Sequence, residues 1–449
     1  MADFLHNPES EIDRLETLAR RVLDRARQGG ADQAELSLSS SLAREAAVRL
    51  GEVDVLEEAR DRGIRVTVFS KQCSGTASTG DLREATVDEC VDRALAIARH
   101  TQSDPAAGLA DVELMASEAV DLSLWHPTDL DMSDLLARAR DIEQAGRDAD
   151  ARISNSEGAS VSTEASVSVY ANSHGFLGSS RGTSYSQSCV LIAADEGGMQ
   201  RDYDWDARRR FEALADPAET GAGAARRTVR RLGAQRVPTG KVPVLFAPEV
   251  ARGLIGHLVS AVSGSSLYRR ASFLLDAVGE QVLPKWMSVV ERPRLPGGPA
   301  SGWYDGDGVA TRESALVADG ELLRYVLSNY SARRLGLQTT ANAGGVRNLS
   351  VLGPAREFEA LLQDMGTGLV VTEVMGQGVN LVTGDYSRGA AGFWVENGQI
   401  VWPVEEITIA GHLREMLKNV VATGTDIDTR RNIQTGSLLI EQMMVAGQH

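Results

Sequence analysis

The chain has 449 residues, 43% of them hydrophobic, and a mean hydropathy of −0.18: the make-up of a soluble globular protein too long for one core, so two domains are expected. No stretch approaches the ~20 apolar residues that cross a bilayer, and the start from Met1 to Ser10 has neither the basic nor the apolar region of a signal peptide. A cytoplasmic protein without membrane contact is expected, and the net charge of −16 argues against non-specific nucleic-acid binding, which needs Lys and Arg to neutralise phosphates.

An amphipathic helix opens the chain, with Ile12, Leu15, Leu18, Val22 and Leu23 as its buried stripe and Gly29-Gly30 as its stop. Short alternating strands follow around residues 35–39 and 65–69, with Leu36, Leu38, Val66 and Val68 inward. Helices are expected over residues 84–99 and 133–147. Val161, Thr163, Ala165, Val167 and Val169 then alternate with Ser162, Glu164, Ser166 and Ser168, a strand with one wet face; residues 185–192 read as its antiparallel partner or neighbour. Arg208-Arg209-Arg210, Arg226-Arg227 and Arg230-Arg231 fall along a helix expected over roughly residues 206–232. They read as a solvated face balanced by Glu212, Asp216 and Glu219, in preference to a patch for nucleic acid or an acidic partner.

Val237-Pro238-Thr239-Gly240 marks the expected boundary between an N-terminal α+β domain (1–237) and a Gly-rich, β-dominated C-terminal domain (238–449). Hairpins are signalled at Asp319-Gly320 and at Asn397-Gly398, the latter a two-residue type I′ turn between Phe393–Glu396 and Gln399–Trp402. A last helix is expected over about 411–421, with Leu413, Met416, Leu417 and Val420 inward. Helices beside mostly antiparallel strands give an α+β fold and not a doubly wound sheet.

Most chemical constellations are absent from the sequence. Cys73, Cys90 and Cys189 are odd in number and far apart, which does not support a disulfide framework; Cys90 falls on a helix face with Val87, Val91 and Ala94 and reads as a buried structural thiol. His6, His100, His126, His174, His257, His412 and His449 never stand at metal-ligand spacing. No nucleophile elbow occurs, and Thr239-Gly240-Lys241 lacks the upstream glycine of a phosphate loop, Gln235 standing there. Asp305 and Asp307, interleaved with glycines, read as a tight turn in preference to a calcium site.

The most informative segment is residues 248–262. Leu254, Ile255, Leu258, Val259 and Val262 repeat at helical spacing, while Arg252, Gly256, His257 and Ser260 lie toward the other face. The segment resembles the helix that carries a His-Glu-x-x-x-His zinc motif in the TldD branch of the TldD/PmbA metallopeptidase family. The resemblance continues through residues 267–273, 328–336, 375–380, 383–398 and 432–437, and more thinly through Asn172–Phe176. Aligned on Gly256-His257, Arg252 takes the first ligand position and Gly253 the glutamate position. Arginine has no lone pair to donate, and glycine cannot act as a base. Thr435 stands where family members carry a cysteine. The resemblance therefore points to the PmbA-type (TldE-type) branch that lacks the zinc site: no catalytic residue and no cofactor in this chain, with zinc expected on a TldD-type sibling subunit.

It further implies a subunit that helps hold an unfolded or extended peptide while the sibling cleaves it, in maturation of peptide antibiotics or degradation of antitoxins. Self-association is expected when the sibling is absent. In the TldD-type relatives the region matching the Gly-rich run borders the substrate cleft. Gly376, Gly378, Asn380, Thr383, Gly384, Asp385 and Tyr386 are thus peptide- or partner-facing candidates through added-strand pairing, against a scaffold role alone. The family's older naming offers an alternative, a regulatory protein that modulates DNA gyrase without proteolysis.

Overall fold

A computed structural model describes residues 4–447, so His449 and the first three residues lie outside it. The N-terminal half runs α1 (Pro8–Gln28), β1 (Gln33–Arg49), β2 (Glu52–Ser70), β3 (Cys73–Thr79), α2 (Glu84–His100), α3 (Met132–Asp148), β4 (Ile153–Asn172), β5 (Leu177–Asp195), β6 (Gly198–Arg208) and α4 (Pro217–Val229). Its six strands form one antiparallel sheet in the order β3-β2-β1-β4-β5-β6. The strands are far longer than the short runs expected from hydrophobic alternation. Cross-strand hydroxyl pairs carry them on: Ser160–Ser188 at 3.0 Å, Ser162–Ser186 at 2.7 Å and Ser168–Ser180 at 2.7 Å on the wet face of β4 and β5.

The opposite face is covered end to end by helices. Leu36, Leu38, Val66, Val68, Val167 and Val169 pack under α1 and α2, whereas Ala46, Val48, Val161, Cys189 and Leu191 pack under α3 and α4. Local signals place these helices. Pro8 occupies the first turn of α1 and the Asn7 side chain accepts from Ser10; Asp131 and Asp134 form a capping box on α3. Helices α3 and α4 cross so closely that a Cβ on Gly221 would lie 2.1 Å from the Ile142 carbonyl oxygen, which requires glycine there.

The arginine-rich segment departs from expectation. Residues 206–208 end strand β6 and the helix starts only at Pro217, because the Asp216 side chain caps it by accepting from Ala218 and proline fits the first turn.

The C-terminal half contains β7 (Gly240–Phe246), α5 (Pro248–Ala261), α6 (Gly264–Tyr268), β8 (Ser288–Glu291), β9 (Ser314–Ala318), β10 (Glu321–Leu322), α7 (Asn329–Leu335), β11 (Leu349–Leu352), β12 (Ala355–Arg356), α8 (Phe358–Met365), β13 (Gly368–Met375), β14 (Asp385–Glu396), β15 (Gln399–His412), α9 (Leu413–Lys418), β16 (Val420–Gly424), β17 (Ile433–Gln434) and β18 (Leu438–Gly447). A small sheet has the order β10-β9-β8-β11-β17. The large sheet has the order β12-β16-β18-β15-β14-β13-β7, and β18 also pairs with β7. That extra pairing closes β7, β13, β14, β15 and β18 into a ring. One side of these strands, including Val244, Phe246, Leu369, Val371, Ile407, Ile440 and Val445, shares a core with α5; the other, including Leu245, Val370 and Phe393, packs on α8.

Asn397 (φ 51°) and Gly398 (φ 74°) make the left-handed pair that a type I′ turn demands, between Glu396 and Gln399. The last helix is shorter than the 411–421 expected: β15 runs to His412, and Val420, with its β-branched neighbour Val421, starts β16. Helices beside mostly antiparallel strands make the fold α+β.

Candidate functional site

Helix α5 leaves the ring directly after β7 with Pro248 at its first turn. Val250, Ala251, Leu254, Ile255, Leu258 and Ala261 are buried, and this stripe fixes which residues look outward. Gly253 is exposed, and Arg252, Gly256, His257 and Ser260 are half-buried. A Cβ on Gly256 would lie 3.9 Å from Ile433 Cδ1, so β17 runs alongside the helix and brings the 433–435 segment to it. The structure thus gathers Arg252, Gly253, His257 and the strand leading to Thr435 on one side of α5.

The donors there do not match zinc. The His257 ring stands 6.1 Å from the Tyr386 ring, edge to face. Burial, with a smaller contribution from the nearby Arg388, depresses its pKa and holds the imidazole neutral. Thr435 is buried, and its hydroxyl donates to the Gly436 carbonyl at 3.0 Å. Arg252 contributes a cation whose Nε donates to the Glu249 carbonyl at 3.1 Å. Among the described residues no group of three or more His, Cys, Asp or Glu side chains could hold a metal ion.

The depressed His257 pKa has a stability consequence. The unfolded chain binds a proton near pH 6.5 that the folded chain refuses until lower pH. The stability from keeping the ring neutral is complete above about pH 6.5 and falls away as the pH drops toward the lower folded value. His257→Phe is expected to lose less stability than the parent between pH 7.5 and pH 5.5, measured by urea unfolding at both pH values. An unchanged pH dependence would show that the ring titrates alike in both states.

The Gly-rich run forms the tip of the β13–β14 hairpin. Gly376, Gly378, Asn380, Thr383 and Asp385 are exposed, whereas Gly384 and Tyr386 are buried. The Tyr386 ring stands against His257, and Gly384 is covered by His412, whose Nε2 hydrogen-bonds the Thr383 carbonyl at 2.8 Å. Two glycines are required for close approach or turn geometry: a Cβ on Gly378 would sit 1.8 Å from the Ser387 carbonyl oxygen, and Gly376 has φ 82°. Asn380 accepts the amide of Val382 at 2.9 Å and its own amide donates to Asp385, so the tip is internally bonded.

Arginines dismissed as a solvated face prove to join the two halves beside α5. Arg227 Nη2 donates to Glu249 Oε1 at 2.8 Å and its Nε lies 3.7 Å from the buried Asp202; Arg231 bonds Glu373 at 2.8 Å; Arg230 lies over the Phe393 ring at 4.7 Å. Arg209 donates to the Thr183 and Pro299 carbonyls. From the other half, Arg430 and Arg431 both stand 4.4 Å from the Trp205 ring. Sequence reasoning missed Arg430 and Arg431; the doublet a few residues before Thr435 was the signal available.

The Asp305–Asp307 pair closes a turn. Asp305 Oδ1 accepts the amides of Asp307 and Val309, each at 2.9 Å, and Oδ2 accepts that of Ala343. Burial, aided by Asp307, pushes its carboxyl up to about 6. Nearby Glu35, pushed to about 7 by burial, accepts from the Tyr170 hydroxyl at 2.9 Å where the wet sheet face meets the C-terminal half.

Comparison with known proteins places this geometry. Residues 34–98, 125–232 and 239–447 match the profiles of PmbA/TldA metallopeptidase domain 1, central domain and C-terminal domain. Metalloprotease PmbA of Escherichia coli O157:H7 is 46% identical over 440 residues, 98% of each chain. Among solved structures, a candidate modulator of DNA gyrase from Bacteroides thetaiotaomicron superposes with a TM-score of 0.92, covering 97% of this chain and 99% of its own at 26% identity. TldE from Thermococcus kodakarensis superposes with a TM-score of 0.83, covering 96% of this chain and 100% of its own at 20% identity, a likeness of fold alone. With three consecutive domains matched and a relative aligned almost end to end, the chain belongs to the PmbA/TldD metallopeptidase family.

Proposed function

We propose that this chain is the non-catalytic subunit of a two-subunit zinc metallopeptidase that processes or degrades unfolded peptides in the cytoplasm. A TldD-type sibling supplies the zinc and the glutamate that activates water; this chain binds no zinc and contributes peptide- and sibling-contacting surface. The observation that carries the reading is the outward face of α5. It offers Arg252 and Gly253 where a metallopeptidase needs a ligand and a base, with one neutral imidazole at His257. The exposed hairpin tip at residues 376–385 supports a peptide-holding role. An extended substrate paired to a strand edge is gripped through its backbone, with little dependence on sequence.

The test is peptidase activity on an unfolded peptide with metal analysis of each sample. The isolated chain with excess zinc is expected to cleave nothing and to retain less than one zinc per chain, and the mixture with its sibling to cleave. Stoichiometric zinc together with cleavage by the isolated chain would overturn the proposal. A second reading, a regulatory protein that contacts DNA gyrase without proteolysis, is favoured only by the descriptions of two solved relatives, from Bacteroides thetaiotaomicron and Thermotoga maritima. It requires gyrase to be retained on the immobilised chain when no sibling is present.

A further inference from the structure

A cleft of about 330 Å³ opens between the halves beside the first turn of α5, walled by β6, α4, β13 and the loop before β17. Five arginines and four acids line it, and their pairing decides what it can bind. Asp202 lies 3.7 Å from Arg227 and 3.6 Å from Arg231. Glu249 is held by Arg227 and Glu373 by Arg231, both at 2.8 Å. Asp428 is held by Arg430 at 2.8 Å, and Arg201 turns to Glu157 at 2.7 Å. Every acid is therefore committed, and two cations are left over.

Those two are Arg252 and Arg431. Arg252 uses only Nε, on the Glu249 carbonyl, and among the described residues its two terminal nitrogens have no acceptor. Arg431 lies over the Trp205 ring at 4.4 Å with no ion pair among the described residues. A guanidinium stacked on an aromatic face keeps its edge donors free, and the planar fork of arginine matches a carboxylate through two parallel bonds. Tyr203, exposed at the same cleft, gives an apolar surface for a neighbouring side chain. Val374, also in the lining, is the penultimate residue of β13, next to the hairpin tip that holds residues 376–385.

We propose that this cleft is a carboxylate-recognition subsite, in which Arg252 and Arg431 grip an acidic group of an extended peptide. Arg252 then has a function of its own at the position where the zinc-bearing branch keeps a ligand. The inference rests on the peptide-holding reading above, but its test uses the isolated chain and needs neither sibling nor cleavage, so the two can fail separately.

The probe is a fluorescein-labelled, unstructured ten-residue peptide with two adjacent glutamates, compared with its di-glutamine counterpart, each made with a free C-terminal acid and with an amide. Anisotropy titration is expected to show the glutamate peptide binding about tenfold tighter, the order that charged hydrogen bonds supply. If the C-terminal acid is the group recognised, the acid and amide forms differ instead. Arg252→Gln and Arg431→Gln should each abolish the preference with little change in melting temperature, since neither residue makes a close ion pair among the described residues and Arg252 adds only a longer-range attraction to Asp428, which Arg430 already holds. Arg27→Gln, at the far end of α1, should leave it intact. Equal binding of all four peptides by the parent chain overturns the proposal. So does a preference that survives both substitutions, which would indicate diffuse attraction to anions.

Discussion

Arg227→Met is expected to lower the unfolding free energy by about 3 kcal/mol, the lower end of what breaking a buried ion pair costs. Burial works against the Arg227 charge, and Glu249 and Asp202 more than restore it. Removing the guanidinium leaves Glu249 without its partner at 2.8 Å and strips the buried Asp202 of one of two flanking cations. Arg231 still lies 3.6 Å from Asp202, which keeps the loss at the lower end. The neighbouring Arg226 is exposed, so Arg226→Met should stay within about 0.5 kcal/mol of the parent. Urea unfolding of the two variants distinguishes them. Equal stability would mean that the junction beside α5 does not depend on this arginine.

That junction was hidden in the sequence for a physical reason. β6 places Asp202, Asp204 and Asp206 on the face toward the helices and Tyr203 and Trp205 on the other, so its alternation runs opposite to the usual apolar-in pattern. A strand whose inward residues are acids satisfied by arginines drawn from β6 itself, from α4 and its end, and from the other half cannot be recognised by hydrophobic period. It was therefore absorbed into a helix that the structure starts only at Pro217. Asp216-Pro217 was a legible start signal, outweighed by the run of arginines before it.

Where burial is apolar and the pattern local, the reading was accurate. Leu254, Ile255 and Leu258 on α5, Ile12, Leu15 and Val22 on α1, and Asn397-Gly398 in its turn follow from period and backbone preference alone. The outward face of α5 followed from the same period, and with it the positions of Arg252 and His257. The burial of Tyr386 was not legible because the ring it meets, His257, lies more than a hundred residues away in the chain. Arg431 was missed for the same reason, since its partner Trp205 lies in the other half.

The closure of the ring is the contact least visible in the sequence, and Gly392 is where it can be tested most severely. Gly392 pairs with Val371 at an irregularity in the β13–β14 ladder, and it also pairs with Val404 of β15. A Cβ there would fall 1.8 Å from the Val370 carbonyl oxygen and 2.9 Å from its carbon, backbone atoms that cannot rotate away. Relief requires β13 to move off β14, and β13 carries β7, whose other edge holds β18. Displacement is thus resisted around the whole ring and transmitted to the core that α5 shares. Gly392→Ala should lose about 3 kcal/mol or more, at or above the upper end of overpacking effects. Gly376→Ala, in open space with φ 82°, should lose only about 1 kcal/mol from backbone strain. Both glycines belong to one Gly-rich run, so comparing the variants by urea unfolding separates close packing from turn geometry. A Gly392→Ala chain no less stable than Gly376→Ala would show that the strands can part without opening the ring.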